Sequence, residues 1–390
     1  MTNTLPQNRI SSIDLLKGLV MVVMALDHVR DFFHYSTFFF NPMDPSQTTV
    51  PIFFTRFITH FCAPAFSFLA GLSAFMSGRK KSKGALSAFL LKRGLWLLLL
   101  EFTLVVFGWA FDPTFSMNNI AVIACLGMSM MLLAALIHLP RTVLLVLCCV
   151  VIVGHNLLDP INLPENFFWS VIHQQSIFQF GNVKFYVDYP IIPWFAVMAL
   201  GYCFGPLYNK ETDARKRRQL LTMTGIAAVC LFVLLRWLNI YGDLLPWTEQ
   251  STAVRTLFSF LNVTKYPPSL LYLLLTLGCT MIFLGISENF KGRIVNFFTT
   301  FGRVPFFYYL LHLYLMHVLA VIYGLVSGHG WKLLSLPDWL PEIHSIRGYG
   351  TNLVGVYLVW ILVIAIAYPI CKWYDCYKTV HKEKWWLSYL

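Results

Sequence analysis

The sequence predicts an all-α, polytopic integral membrane bundle of about ten transmembrane helices, built as a single domain over residues 1–390. Two observations carry this. Only 12% of the residues are charged and 57% are hydrophobic, whereas soluble domains carry about 25% charged residues. The apolar residues are also gathered into runs longer than about 18, the length that reads as a span, and the mean hydropathy is +0.64. An ordinary water-soluble fold, a disordered or collagen-like chain and a nucleic-acid-binding protein are thereby excluded. Backbone groups cannot stay unpaired in lipid, and the short alternating segments of a barrel are missing, so the runs read as helices.

A helix needs about 20 residues to cross about 30 Å of hydrocarbon. On that measure the spans fall near 12–34, 52–76, 86–110, 119–138, 142–158, 189–207, 219–240, 267–286, 304–326 and 352–371. Proline suits a first helical turn, so Pro190 and Pro193 open the sixth span, Pro267 and Pro268 the eighth and Pro305 the ninth. The polar start of the chain lacks the apolar core and cleavage site of a signal peptide, so the first span is expected to be retained. Nine cysteines, mostly within apolar runs and without a C-x-x-C pair, argue against a disulfide framework or a redox site.

Lysine and arginine set the orientation. With the N-terminus inside, the even-numbered connections and the termini hold 21 of the 29 basic residues, so both termini are expected in the cytoplasm. Arg9, Lys17, Arg79, Lys80, Lys81, Lys83, Lys92, Arg93 and the 210–218 cluster dominate this bias. The net charge of +11 is then a topology signal rather than a polyanion site. The outer connections 35–51, 159–188, 241–266 and 327–351 are aromatic-rich and charge-poor. They suit loops folded over the bundle to meet a sugar or lipid headgroup, or interfacial anchors.

Ionisable side chains inside spans face cavities or one another. The first helix carries Asp14, Lys17, Asp27, His28, Arg30 and Asp31. Lys17 and His28 lie within about 20° of three full turns and about 16 Å apart along the axis, so they share a face. Asp27, Arg30 and Asp31 form an i, i+3, i+4 set that reads as an ion-pair cluster or a substrate contact. His28 reads as a proton-transfer group, with Asp27 beside it to hold the imidazole tautomer. The second helix adds Arg56 and His60 on one face, and His60 reads as a second catalytic candidate or as a helix–helix hydrogen bond. In the ninth, Tyr308, Tyr309 and His312 make a polar strip, with His312 and Tyr309 either substrate-facing or buried structural groups. Glu101 and Arg236 are placed to pair if their helices meet. No Walker loop, G-x-G-x-x-G or H-E-x-x-H is present, and no metal is expected.

The stretch Arg9 to Phe33, with Ser-Ile-Asp-x-x-Lys-Gly and Leu-Asp-His-Val-Arg-Asp-Phe-Phe, resembles the bacterial DUF1624 proteins, relatives of the heparan-alpha-glucosaminide N-acetyltransferase catalytic domain. THFCAPAFSFLAG (59–71), DYPIIPWFAVMALGYCFG (188–205), NVTKYPPSLLYLLLTLG (262–278) and FGRVPFFYYLLHLYLMH (301–317) extend the likeness over most of the chain. The first helix alone is also similar to membrane acyltransferases of the acyltransferase-3 type, in which a basic residue precedes a functional histidine by eleven positions, as Lys17 precedes His28. The resemblance implies an enzyme of the bacterial inner membrane that moves an acetyl group from acetyl-CoA to an amino sugar or glycan. Related lysosomal enzymes place their key histidine in the first outer loop, where this chain has His34, so the base stays open among His28, His34 and His60.

Acetyl-CoA is cytoplasmic and polyanionic, so its phosphates are expected at Arg79, Lys80, Lys81 and Lys83, or at Lys92 and Arg93. The pantetheine arm would follow a polar seam between helices toward His28 or His60, with Lys17, Arg30, Asp31, Arg56, Tyr309 and His312 as substrate contacts. A tyrosine, Arg56 or a backbone N–H would meet the oxyanion. The rival reading is a proton-coupled transporter or flippase of a sugar- or lipid-linked substrate. Self-association is left open.

Overall fold

The computed structural model describes residues 10–384 and 387. Arg9, counted above among the cytoplasmic cations, lies outside them. The chain is 71% helical. In order, the helices are α1 Ser11–Phe33, α2 Val50–Phe57, α3 Cys62–Gly78, α4 Lys83–Leu100, α5 Val106–Ala110, α6 Val122–Leu136, α7 Arg141–Gly154, α8 Phe167–Ile172, α9 Ile191–Phe204, α10 Ala214–Leu238, α11 Ala253–Leu261, α12 Leu270–Ile286, α13 Arg293–Arg303, α14 Pro305–Val326 and α15 Leu353–Val380.

Each expected span overlaps a helix, and seven helical runs among the described residues are long and apolar enough to cross a membrane. They are Val50–Gly78, Arg141–Leu158, Ile191–Tyr208, Ala214–Leu238, Leu270–Asn289, Pro305–Val326 and Leu353–Val380. The other three expected spans differ for physical reasons. α1 is rich in charge, α4 begins among Lys83, Lys92 and Arg93, and α6 is only 15 residues long. Exposed rows such as Val146, Val150 and Val153 on α7, or Val354, Leu358 and Ile361 on α15, are apolar faces that water would not tolerate and lipid does. This is a multi-pass membrane protein.

α1 sits at the centre, in contact with α3, α12, α13, α14 and α15. Its close seat depends on glycine. A Cβ on Gly18 would lie 1.7 Å from the Phe298 carbonyl oxygen, and one on Gly302 1.8 Å from that of Asp14, so the α1 and α13 backbones approach only because both are glycine. Gly71 and Gly201 play the same part between α3 and α9.

The all-α expectation needs a correction. A three-stranded sheet, order β1-β3-β2, closes one end of the bundle, with β1 Met117–Ile120, β2 Ser176–Phe180 and β3 Val183–Val187. β3 pairs antiparallel with β2 around the two-residue turn Gly181-Asn182 and parallel with β1. Gly181 has φ +59°, a conformation that favours glycine. β1 occupies the start of the span placed at 119–138, which shortens that helix.

Two smaller expectations also change. Pro267 and Pro268 do not open the eighth helix, because Ser269 caps it by accepting the Tyr272 N–H. Glu101 and Arg236 do not pair. Glu101 is fully buried at a π-helical turn and accepts the Ala124 N–H at 2.8 Å. Arg236 instead donates to the carbonyls of Leu245, Ser259, Phe260 and Asn262, tying the loop after α10 to that helix.

Candidate active site

The C-terminal end of α1 reaches the larger cavity of the molecule. Its last two turns bring Asp27, His28 and Asp31 to the sheet end of the bundle, where they line a cavity of about 620 Å³. Arg56 of α2, Trp109 of α5, Asn119 of β1, Tyr186 of β3, Asp188, Tyr189, Lys265, Tyr266, Tyr309 of α14 and Trp339 complete most of its wall. The sheet is therefore part of the site. The segment around Trp339 is pinned over it by the Tyr186 hydroxyl, which donates to Asp338 at 2.6 Å, and by a Lys184–Asp338 ion pair.

Asp27 does not orient His28. Adjacent helical residues point about 100° apart, and both Asp27 oxygens are engaged elsewhere. Arg30 donates to Oδ1 at 3.0 Å and Arg56 to Oδ2, while Arg30 also bridges to Asp31 at 2.5 Å. Arg30 is buried behind the wall, so the cluster joins α1 to α2 as an ion-pair network.

The orienting partner of His28 is His312. His28 Nδ1 lies 2.8 Å from His312 Nε2, and His312 Nδ1 lies 3.0 Å from the Tyr308 carbonyl oxygen. A carbonyl only accepts, so His312 Nδ1 carries a hydrogen. Neutral His312 then offers a bare Nε2, and His28 must donate from Nδ1. His28 Nε2 is left as a lone pair in a half-buried residue that lines the cavity. Trp109 packs edge-on against the imidazole, 4.8 Å between centroids, and fixes its plane. His312 is fully buried and stands behind His28 rather than in the cavity wall.

Lys17 is on the same strip of α1 but in a second, smaller cavity of about 190 Å³, where Arg93 also stands. Lys17 donates to Ser73 at 2.8 Å. Met24, Phe66, Val122 and Tyr309 line both cavities, so the two adjoin along α1, one toward the sheet end and one toward the far end.

Other expected residues fall elsewhere. His60 is buried against Phe57 and Tyr272 and lines neither cavity. His34 is buried at the end of α1, where its Nδ1 accepts the Ser36 N–H at 3.2 Å, and it too is absent from both linings. In the basic loop, Arg79 donates to the Tyr208 carbonyl and Lys83 to that of His138, as cations do at helix ends. Lys81 lies 3.8 Å over the Phe89 ring, and Lys80 is exposed. Of the cations expected at the donor's phosphates, Arg93 lines the smaller cavity, and Arg79, Lys80, Lys81, Lys83 and Lys92 line neither of the two.

The cavity also contains groups that sequence reasoning missed. Asp188 accepts from Gln175 at 2.9 Å, and burial pushes its carboxyl above the usual range against the pull of that bond and of Lys265. Lys265 is buried with its ammonium 5.0 Å from the Tyr266 ring. Burial opposes ionisation of the Tyr266 phenol, yet Lys265 and Arg56 outweigh it and hold the phenol below its ordinary value. The available signal was position. Asp188 and Lys265 are rare charges in charge-poor loops, each within a few residues of a span.

A half-buried imidazole in the wall of a polar, aromatic cavity is chemically suited to general-base work. Residues 9–242 match the family described as heparan-alpha-glucosaminide N-acetyltransferase, catalytic, and the chain belongs to that family. Membership implies a membrane acetyltransferase. The matched region holds Asp27, His28, Arg56, Trp109 and Asp188, and stops before Lys265, Tyr309 and His312. No curated protein matches the chain.

Proposed function

We propose that the protein transfers an acetyl group from cytoplasmic acetyl-CoA to an amine or hydroxyl of a sugar on the extracytoplasmic side, with His28 as general base. The observation that supports this best is the pair of adjoining cavities that meet beside a histidine whose Nε2 is bare. In this reading all ten expected spans cross the bacterial inner membrane, both termini are cytoplasmic by the lysine and arginine bias, and the sheet end is outside.

The residues present fit the acyl donor. The smaller cavity is narrow and mostly apolar, with Lys17 and Arg93 as cations, which suits a pantetheine arm running from a phosphate-bearing head. The larger cavity offers Asp31, Asp188 and Tyr186 as polar partners and Trp109, Tyr189 and Trp339 as apolar faces, which suits a sugar. The donor supplies a thioester carbonyl. The acceptor nitrogen or oxygen attacks its carbon as His28 Nε2 takes the acceptor's proton. The carbon–sulfur bond breaks, and the same proton passes to the departing thiolate. Tyr309 at the junction and Arg56 are the donors available to the carbonyl oxygen.

The test is to incubate purified protein with acetyl-labelled acetyl-CoA and a panel of amino sugars and oligosaccharides. Label transfer supports the enzyme. Proton-coupled sugar uptake into liposomes without transfer selects the transporter or flippase instead.

A further inference from the structure

Beyond the cavity, α7 ends in a short 3-10 turn, His155–Leu158, followed by Asp159. His155 opens this turn and Asp159 follows it, so both side chains stand at the end of the helix. After a loop, α8 runs to Ile172 and delivers His173 at its C-cap, whose N–H bonds the Trp169 carbonyl. The fold thereby brings two imidazoles and one carboxylate together, with one ligand atom of each lying within 4.8 Å of the others.

The bonding within this group is incomplete. His173 Nε2 lies 2.8 Å from Asp159 Oδ1, and Asn156 donates to Asp159 Oδ2 at 2.7 Å. His155 is only 3% exposed, yet neither of its ring nitrogens has a hydrogen-bond partner among the described residues. A buried imidazole with both nitrogens unsatisfied is costly, and its neighbour at 5.7 Å between ring centroids is the equally buried His173.

We propose that His155, Asp159 and His173 bind a divalent transition metal of the zinc class and staple the 155–173 segment to the end of α7. Two imidazole nitrogens and one carboxylate are a borderline donor set that suits zinc, with a water in the fourth position, and disfavours calcium and magnesium, which take oxygen ligands. Asn156 holds the second carboxylate oxygen, the outer support that metal-ligating carboxylates use. Tetrahedral coordination brings the ligand atoms to about 3.4 Å from one another, given bonds of about 2.0–2.1 Å, a closure that side-chain rotation supplies. His173 is two residues from Gln175, which lines the large cavity, so the metal stiffens one wall without touching the reacting groups. The sequence alone gives no sign of this, because His155 and His173 are 18 positions apart and match no metal motif.

The experiment uses full-length protein without appended histidines, purified in detergent, stripped with a chelator and titrated with Zn²⁺. Retention of one equivalent after desalting and a raised thermal midpoint are expected, and His155→Ala and His173→Ala should each lose both. A Co²⁺-substituted sample should show the intense visible absorption of four-coordinate cobalt with imidazole ligation, a readout on the native chain that needs no variant to fold. Equal zinc retention by native protein and the His155→Ala, His173→Ala double variant overturns the proposal, as does a weak, six-coordinate cobalt spectrum.

Discussion

His28 and His312 are 284 positions apart in the chain, yet His28 Nδ1 meets His312 Nε2 at 2.8 Å. The Tyr308 carbonyl at the far side of His312 makes this a one-way chain of donors that ends in a bare His28 Nε2 facing the cavity. The two imidazoles therefore come from distant parts of the sequence, α1 and α14, and the packed bundle brings them together.

Removing the base tests this directly. His28→Ala and His28→Gln should each lower turnover by about 100-fold or more, the usual worth of a general base, since glutamine accepts no proton. His312→Ala should lower kcat while leaving KM for both substrates nearly unchanged, because His312 touches neither. His312→Gln, whose amide oxygen accepts from His28 Nδ1, should recover part of the loss. Steady-state label transfer across pH provides the check, and a His312→Ala enzyme with native kcat and native pH profile would remove the orienting role.

Much of this arrangement was legible in the sequence, and the reasons for the remainder are physical. Span positions follow from hydropathy because lipid imposes one requirement on every helix. The strip from Lys17 to His28 follows from helical periodicity and leads into both cavities. Sequence adjacency misleads for Asp27, since neighbours on a helix diverge, and the carboxylate serves Arg30 and Arg56 instead. The hairpin was readable in Phe180-Gly181-Asn182-Val183, a two-residue glycine turn between alternating segments. The β1–β3 pairing joins strands more than 60 residues apart, and no local pattern announces it.

Asp27 gives a stability prediction. It is 8% exposed and holds both Arg30 and Arg56. Asp27→Asn leaves the half-buried Arg56 guanidinium without its carboxylate and Arg30 with Asp31 alone, and removing one partner of a buried pair costs about 3–5 kcal/mol. The thermal midpoint in detergent should fall sharply, and adding Arg56→Met should restore part of it. A single variant as stable as the native protein would mean that water reaches the cluster freely.

The position of the cations yields a contrast for acetyl-CoA. Arg93 lines the smaller cavity, whereas Lys80 is exposed and lines neither cavity. Arg93→Gln should raise KM for acetyl-CoA by about 10-fold, as expected for a lost charge-assisted hydrogen bond of about 1.5–3 kcal/mol, with little change in kcat. Lys80→Gln should leave both parameters near native. Equal effects would place the phosphates at the basic loop, outside the cavity.

The cover over the large cavity should open in acid. Asp338 holds Lys184 and Tyr186, and Asp112 folds the turn before β1 by accepting from Thr114 and Ser116. Burial works against both charges. For Asp338 the Lys184 and Tyr186 contacts outweigh it and lower the carboxyl, and for Asp112 the Ser116 and Thr114 hydrogen bonds hold it at about 2. A carboxyl lowered in the folded state contributes stability that is fully present above its unfolded value of about 3.9 and is lost as pH falls through the folded value. Both contributions are therefore intact at neutral pH and fade between about pH 4 and pH 2. Hydrogen exchange at Leu336, whose N–H bonds the Ala110 carbonyl at 2.8 Å, should quicken over that window before the helices unfold. Asp338→Asn should bring part of the same quickening to pH 7. If the amide stays protected in the variant and in acid alike, the cover is held by Trp109 and Trp339, whose rings pack 5.4 Å apart, and the carboxylates are incidental to it.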